Sequence, residues 1–408
     1  MNTLRMRLLA TAALIAAAMP LPAAAQGSEV KVALIAPFSG PWARQGDLML
    51  KGAQMAVDDI NAHGGIKALG GAKMKIVVID AGDSIEKAKN AAQRMVAQEA
   101  DVVGCTGAWL SSFTLAVTEV TERAELPCVT LSYSDQITAR GFRYIFQTSP
   151  PGGEQARQAL PTILKLAQAA GRLPKTVAIV QDNTAASVSF AKPMREGGLA
   201  DAGVRIVVDE TYTPPLSDAS ALVQKVRSAR PDMLFMLPTA LPDDKLLIEK
   251  LNEFGLGRGK VPVVSNGSHI VAPELLATLG KEMLEGVMTV VANARIKGQD
   301  ALLAEYKKRT GEPFMTQETV STYGDMWIFK EALEHAKVAD RKKVAEAIRA
   351  MDVTDGPARY YPGGRVKFDD KGRRVGAELL IVQWQNGVPE TVFPLSAAVA
   401  KAVWPAKQ

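Results

Sequence analysis

The stretch Gly104-Cys-Thr-Gly-Ala-Trp-Leu-Ser-Ser-Phe-Thr-Leu-Ala-Val117 sets two hydroxyls, Ser111 and Ser112, between an apolar run and a helical pattern. Asp101-Val-Val-Gly-Cys105 reads as a buried parallel strand, and Thr114-Leu-Ala-Val-Thr-Glu-Val-Thr-Glu-Arg123 as a helix. A helix start presents unpaired N–H groups and about half a positive charge. With hydroxyls beside it, such a start suits a small anion. The same serines could simply cap their own helix.

Other chemistry is sparse. His63, His269 and His335 have no His or Cys at metal-ligand spacing. His63 ends a helix and His335 lies within one, both structural readings, whereas His269 in Ser265-Asn-Gly-Ser-His269 follows a strand and is placed to line a cleft. There is no phosphate-binding G-x-x-x-x-G-K-[ST] loop, no dinucleotide G-x-G-x-x-G after the first strand and no G-x-S-x-G elbow. Cys105 has no activating base nearby in sequence. Together these exclude the common catalytic sets; no enzyme activity, cofactor or metal is expected. Cys105 ends one expected strand and Cys128 begins the next, which would put them at opposite ends of neighbouring strands. Two buried thiols are therefore expected rather than a disulfide.

The elements that position these groups follow a regular alternation. Met1-Asn-Thr-Leu-Arg-Met-Arg7, an Ala- and Leu-rich run from Leu8 to Met19, and small residues at Ala23 and Ala25 form a secretory signal peptide over 1–25. The 48 Lys and Arg against 43 Asp and Glu give a formal +5. The leader holds only Arg5 and Arg7 as charges, so the remainder carries +3, with its basic residues scattered and its aromatics few. No nucleic-acid footprint results. Strands fit Val30–Ala36, Lys73–Asp80, Asp101–Cys105 and Cys128–Leu131, and a second series fits 176–180, 204–208, 233–237 and 261–264, with helices between. Continuous apolar strands alternating with helices call for parallel sheets covered on both faces. Two such series make two α/β lobes. Helices near 300–309, 317–336 and 340–351 lack strands of their own and must complete those lobes.

Several fragments then match one pattern in order: Val30-Lys-Val-Ala-Leu-Ile-Ala-Pro-Phe-Ser-Gly-Pro41 with Gln45-Gly-Asp47, Gly52-Ala, Asp59-Ile-Asn-Ala-His-Gly-Gly-Ile66, Ser111-Ser-Phe-Thr114, Ile137-Thr-Ala-Arg-Gly-Phe142, Thr322-Tyr323 and Phe368-Asp-Asp-Lys-Gly372. The chain resembles the periplasmic leucine/isoleucine/valine-binding protein family over essentially its whole length after the leader. The resemblance implies a type I periplasmic binding protein: two Rossmann-like lobes, three hinge crossings, and a ligand in the cleft. It divides the chain into 29–148 with 288–355 as the N-terminal lobe, and 149–287 with 356–408 as the C-terminal lobe. It implies a small-molecule ligand, an amino acid or related carboxylate, and ABC permease subunits as partners of a monomeric periplasmic protein. An exported sensor of the same fold is the alternative.

Carried over by position, Ser111 is expected to bind the ligand carboxylate, with Trp109 and Leu110 as pocket wall. Ser132, Tyr133 and Ser134 stand where the family supplies a carbonyl for the amine and donors for the carboxylate. Trp42 and Gln45 fall in the first loop, where a side chain covers the ligand; Trp42 could instead be a packing aromatic. In the second lobe the family's acid is replaced by Asn266, one aromatic by Pro238-Thr239, and another by Ala186. An amide stabilises an ammonium less than a carboxylate does, so the ligand need not be leucine.

Overall fold

A computed structural model describes residues 29–404; the signal peptide expected over 1–25 lies outside the described residues. The first sheet is built from β1 (Glu29–Ala36), β2 (Lys73–Asp80), β3 (Val102–Gly107), β4 (Cys128–Thr130) and β5 (Ile145–Gln147), all parallel, in the order β2-β1-β3-β4-β5. The second contains β6 (Thr176–Asp182), β7 (Arg205–Tyr212), β8 (Met233–Leu237), β9 (Val263–Asn266) and β10 (Met288–Val291), also parallel. A short ribbon, β11 (Asp352–Val353) with β12 (Val366–Lys367), precedes an antiparallel hairpin, β13 (Leu380–Gln385) and β14 (Val388–Phe393), which extends the second sheet to β14-β13-β10-β9-β8-β6-β7.

The apolar strands are buried on both faces, as parallel sheets between helices require. Ala33 and Leu34, adjacent in β1, fall in separate buried clusters, and so do Val177 and Ala178 in β6. The period of two in a strand puts neighbours on opposite faces. In each lobe the first strand thus sits between its second and third, and the order reverses there. Ligands of open α/β sheets bind beyond the carboxyl ends at such a point. The sequence carries no internal repeat, yet the topology is used twice.

The chain crosses between lobes three times: after β5, after β10, and between β12 and β13. The helix Gln317–Ala336 returns to the first lobe and packs on the helix Ala43–Ala62. That contact needs Gly52, where an added Cβ would lie 2.2 Å from the Thr319 carbonyl oxygen. Thr322 Oγ1 donates to the Met49 carbonyl at 2.9 Å across the same seam.

Three expectations change. The division at 288 moves, because Met288–Val291 pairs with β9 inside the second sheet; the crossing follows it. Residues 366–375 stay with the first lobe instead of the second: Gln147 N–H donates to the Gly372 carbonyl, and Phe146 packs edge-on against Phe368. The cysteines are bridged, not free. β3 runs on to Gly107, so Cys105 sits inside the strand, in register with Cys128 and with Cα atoms 4.5 Å apart. Among the described residues no helix is long and apolar enough to cross a membrane.

Candidate ligand-binding site

After β3 the backbone turns through three consecutive left-handed residues, Gly107 (φ 118°), Ala108 (φ 57°) and Trp109 (φ 42°). At Gly107 a side chain is impossible, since its Cβ would meet the Ile35 carbonyl oxygen at 2.1 Å. Non-glycine residues hold such angles at a cost, and only when neighbours fix them. Here Ala108 N–H donates to Ile35 O, the Trp109 carbonyl accepts from Ser132 Oγ at 2.8 Å, and Trp109 Nε1–H donates to Glu318 at 2.9 Å.

The helix Ser111–Arg123 begins at this turn, with Leu110 as its N-cap and no side-chain cap. Neither serine caps it. Ser112 Oγ accepts from Ala185 N–H of the second lobe at 3.2 Å. Ser111 Oγ accepts from the N–H groups of Tyr133 and Ser134, both at 3.0 Å. A hydroxyl has two lone pairs and one proton, so Ser111 is left with its proton to donate. Phe113 and Thr114 N–H go to the Leu110 carbonyl; those of Ser111 and Ser112 are the unpaired donors of the helix start.

The other expected hydroxyls are engaged within the protein. Ser132 Oγ donates to Trp109 O and lies 2.6 Å from Thr114 Oγ1. Ser134 Oγ accepts from Gln136 N–H and from Ser189 Oγ, at 3.2 Å for the latter. Thr239 Oγ1 donates to Asp182 at 2.6 Å. Tyr133 is buried, hydrogen-bonded to Gln317 through its hydroxyl, and burial pushes its pKa well above the ordinary phenol value.

Asn266 ends β9 and uses its amide nitrogen on Gln155 Oε1 at 2.9 Å and Val290 O at 3.0 Å. His269 places Nδ1 2.5 Å from Asp244 Oδ2 and Nε2 3.0 Å from the Asn266 carbonyl. A neutral imidazole would set a lone pair against one of these oxygens, so both nitrogens carry protons. Burial works against the charge, but the Asp244 carboxylate and the Asn266 carbonyl outweigh it and hold the ring at about 9.

Trp109, Leu110, Ser111, Ser132, Tyr133, Thr239 and Asn266 all line one cavity, together with Ala186 and His269. Trp42, Gln45 and Ser134 do not line it. Trp42 packs edge-on against Phe113, ring centroids 5.5 Å apart, as a core aromatic. The sequence reading missed Ser268, Gln317 and Glu318, which complete the wall. The available signal was a helix, Gln317–Ala336, whose opening residues are polar while the fold requires them buried. Glu318, 1% exposed, accepts from Ser268 Oγ at 2.5 and 2.6 Å. Ser268–Glu318, Ser112–Ala185 and Ser134–Ser189 close the cleft with Arg44–Glu274, an ion pair of 2.6 Å at its lip. Among the described residues no group of three or more His, Cys, Asp or Glu could hold a metal ion.

A family model described as periplasmic binding protein matches residues 29–389. The Leu/Ile/Val-binding protein homolog 7 of Brucella melitensis is 30% identical over 404 residues, covering 96% of this chain and 97% of that protein. Among solved structures, the branched-chain amino acid transporter substrate-binding protein of Streptococcus pneumoniae in complex with isoleucine superposes with a TM-score of 0.75 at 20% identity, covering 90% of this chain and 100% of that one. An ABC-transporter solute-binding protein of R. palustris in complex with benzoate gives 0.76 at 17% identity, covering 93% and 99%.

Proposed function

Because the chain belongs to the periplasmic binding protein family, we propose that it is the solute-binding subunit of an ABC importer, exported to the periplasm and monomeric. It holds a small carboxylate, an amino acid or a relative of one, between its lobes and delivers it to membrane permease subunits. One observation carries the carboxylate end. Ser111 has both lone pairs occupied and its proton free, at a helix start whose first N–H groups are unpaired, in the wall of the cavity. Charge-assisted hydrogen bonds of this kind are the strong ones. Isoleucine and benzoate, held by the two solved neighbours, share a carboxylate and little else, which supports the same reading. The lobes close over the ligand about the three crossings, and the closed form is what a permease would recognise.

The test is a thermal-shift screen of amino acids and aromatic acids, each beside its methyl ester. A ligand that binds the native state raises Tm by mass action. At least one free acid should raise it while its ester does not. An ester that binds as tightly as its acid would remove the carboxylate from the reading.

A further inference from the structure

We infer that closing the cleft takes up a proton at Asp243, a buried carboxyl behind the cavity wall, so that acid favours the closed form and tightens ligand binding. The inference rests on the proposal that a ligand is held by closure of the lobes, though not on the chemistry of that ligand.

Three carboxyls lie together at the carboxyl edge of the second sheet. Asp182 ends β6, Asp243 and Asp244 lie in the first turn of the helix Leu241–Glu253, and all three are 0% exposed. Two of them hold the cavity wall from behind: Asp182 accepts from Thr239 Oγ1, and Asp244 accepts from His269. Asp182 also accepts from the N–H and Oγ1 of Thr184. Among the described residues His269 is the only cationic side chain paired with any of the three. Its charge is matched by Asp244, and Glu318 acts on it from across the cleft. Charges on the adjoining helices are engaged elsewhere: Lys225 with Glu210, Arg227 over the Phe254 ring, Lys245 with Glu249 and Glu274 with Arg44, while Lys281 and Glu282 are exposed.

Asp243 is the member left over. Its Oδ1 accepts from Leu216 N–H at 2.9 Å, but Oδ2 is buried without a donor, and the neighbouring Tyr212 hydroxyl faces it without a well-formed hydrogen bond. A buried charge in that position is costly. A proton on Oδ2 removes the charge and supplies a donor to the Tyr212 oxygen. Burial raises Asp243 to about 6, with Asp244 and Asp182 adding to the rise and Leu216 N–H and Tyr212 opposing it. The first lobe seals this end of the helix. Its N-cap, Ala240, is buried in the cluster that holds Trp42, Trp109 and Leu110, and the helix packs on Gly40–Trp42. Arg44, the cation that follows, is spent on Asp47, Glu274 and Glu312. Opening the lobes admits water to the helix start and withdraws Glu318 from Ser268 and His269. Both changes favour the ionised carboxyl, so the closed form binds more protons and gains as pH falls through about 6.

The experiment is calorimetric titration of wild-type protein and Asp243→Asn with isoleucine and with benzoate, in MES and in Bis-Tris, whose ionisation enthalpies differ. With Asp243 at about 6 when closed and at its ordinary 3.8 when open, wild type should take up about half a proton per ligand at pH 6 and almost none at pH 8. Kd should be about tenfold tighter at pH 5 than at pH 7. Asp243→Asn keeps the acceptor for Leu216 and cannot titrate, so both effects should vanish. Tyr212→Phe removes a donor that favours the carboxylate and should move the profile to higher pH, which decides the matter if the first variant fails to fold. Heats independent of buffer in wild type at pH 6, uptake unchanged in Asp243→Asn, or affinity that rises with pH would each overturn the inference. Should neither acid bind, that counts against the proposed ligand class alone, and small-angle scattering of the ligand-free protein reads the proton instead. Wild type should then be more compact at pH 5 than at pH 7 and Asp243→Asn equally compact at both; equal compactness in wild type would overturn the inference.

Discussion

Ser111→Ala removes one oxygen with two separable jobs. In the protein it accepts two buried backbone N–H groups, those of Tyr133 and Ser134, each at 3.0 Å. Leaving a buried donor unsatisfied costs about 1–3 kcal/mol, so the pair should cost roughly 2–4 kcal/mol with some relaxation of the loop. For roughly 380 ordered residues the melting entropy is about 0.8 kcal/mol per kelvin, so the ligand-free Tm should fall by about 3–5 °C. Toward a ligand the hydroxyl gives one proton to a charged oxygen, worth about 1.5–3 kcal/mol, or about tenfold to a hundredfold in Kd. Differential scanning calorimetry without ligand and titration with the best ligand of the screen read the two effects independently. A lower Tm with unchanged Kd would refute the free-proton argument and leave Ser111 as a brace for the loop 132–134. An unchanged Tm would refute the hydrogen-bond geometry itself.

Stability should also depend on pH through His269. Its ordinary value is 6.5 and its folded value about 9, so the stabilisation is complete below about pH 6.5 and is lost as pH rises through about 9. Asp325, raised by burial to about 7, acts with the same sign at lower pH. His269→Gln should therefore flatten the decline of Tm between about pH 6.5 and 9 and spare the part below about pH 6; an unaltered profile between about pH 6.5 and 9 would mean that the ring is neutral. Replacing both Cys105 and Cys128 by Ala opens a bridge of sequence separation 23, worth about 3 kcal/mol in chain entropy. Ligand-free Tm should fall by about 4 °C, with Kd unchanged because neither sulphur reaches the cavity; a tenfold loss of affinity would show instead that the bridge props the binding loops.

The fold was legible because parallel strands buried on both faces must be continuously apolar, and Val30–Ala36 or Met233–Leu237 allow no other reading. The antiparallel hairpin was missed although Asn386-Gly387 carries its signal: both residues have positive φ, the geometry a tight hairpin turn demands. The disulfide was misjudged through a strand end. Two further residues in β3 move Cys105 from the edge to a paired position, and strand ends are where pattern reading is weakest. At the candidate site, local pattern singled out Ser111 and Ser112 because a strand, a turn and a helix start are contiguous there, and the family resemblance added Trp109 and Leu110 by position. Glu318 was invisible for the opposite reason. An acid in the first turn of a helix ordinarily faces water and favours the helix dipole, and only the packing of that helix against two lobes buries it.

The bonds that span the cleft have an energetic consequence. Ser268–Glu318, Ser112–Ala185 and Ser134–Ser189 join protein to protein, so they form whether or not anything lies between the lobes. Each contributes to closure of the empty protein as fully as to closure of the loaded one. At about 1 kcal/mol apiece they lift the resting population of the closed form, and a ligand has only to supply the remaining difference. Measured affinity then understates the contact energy in the cavity by whatever closure still costs. If a permease reads the closed form, as proposed above, a bias toward empty closure would set a floor of background engagement that weakening these three bonds would lower.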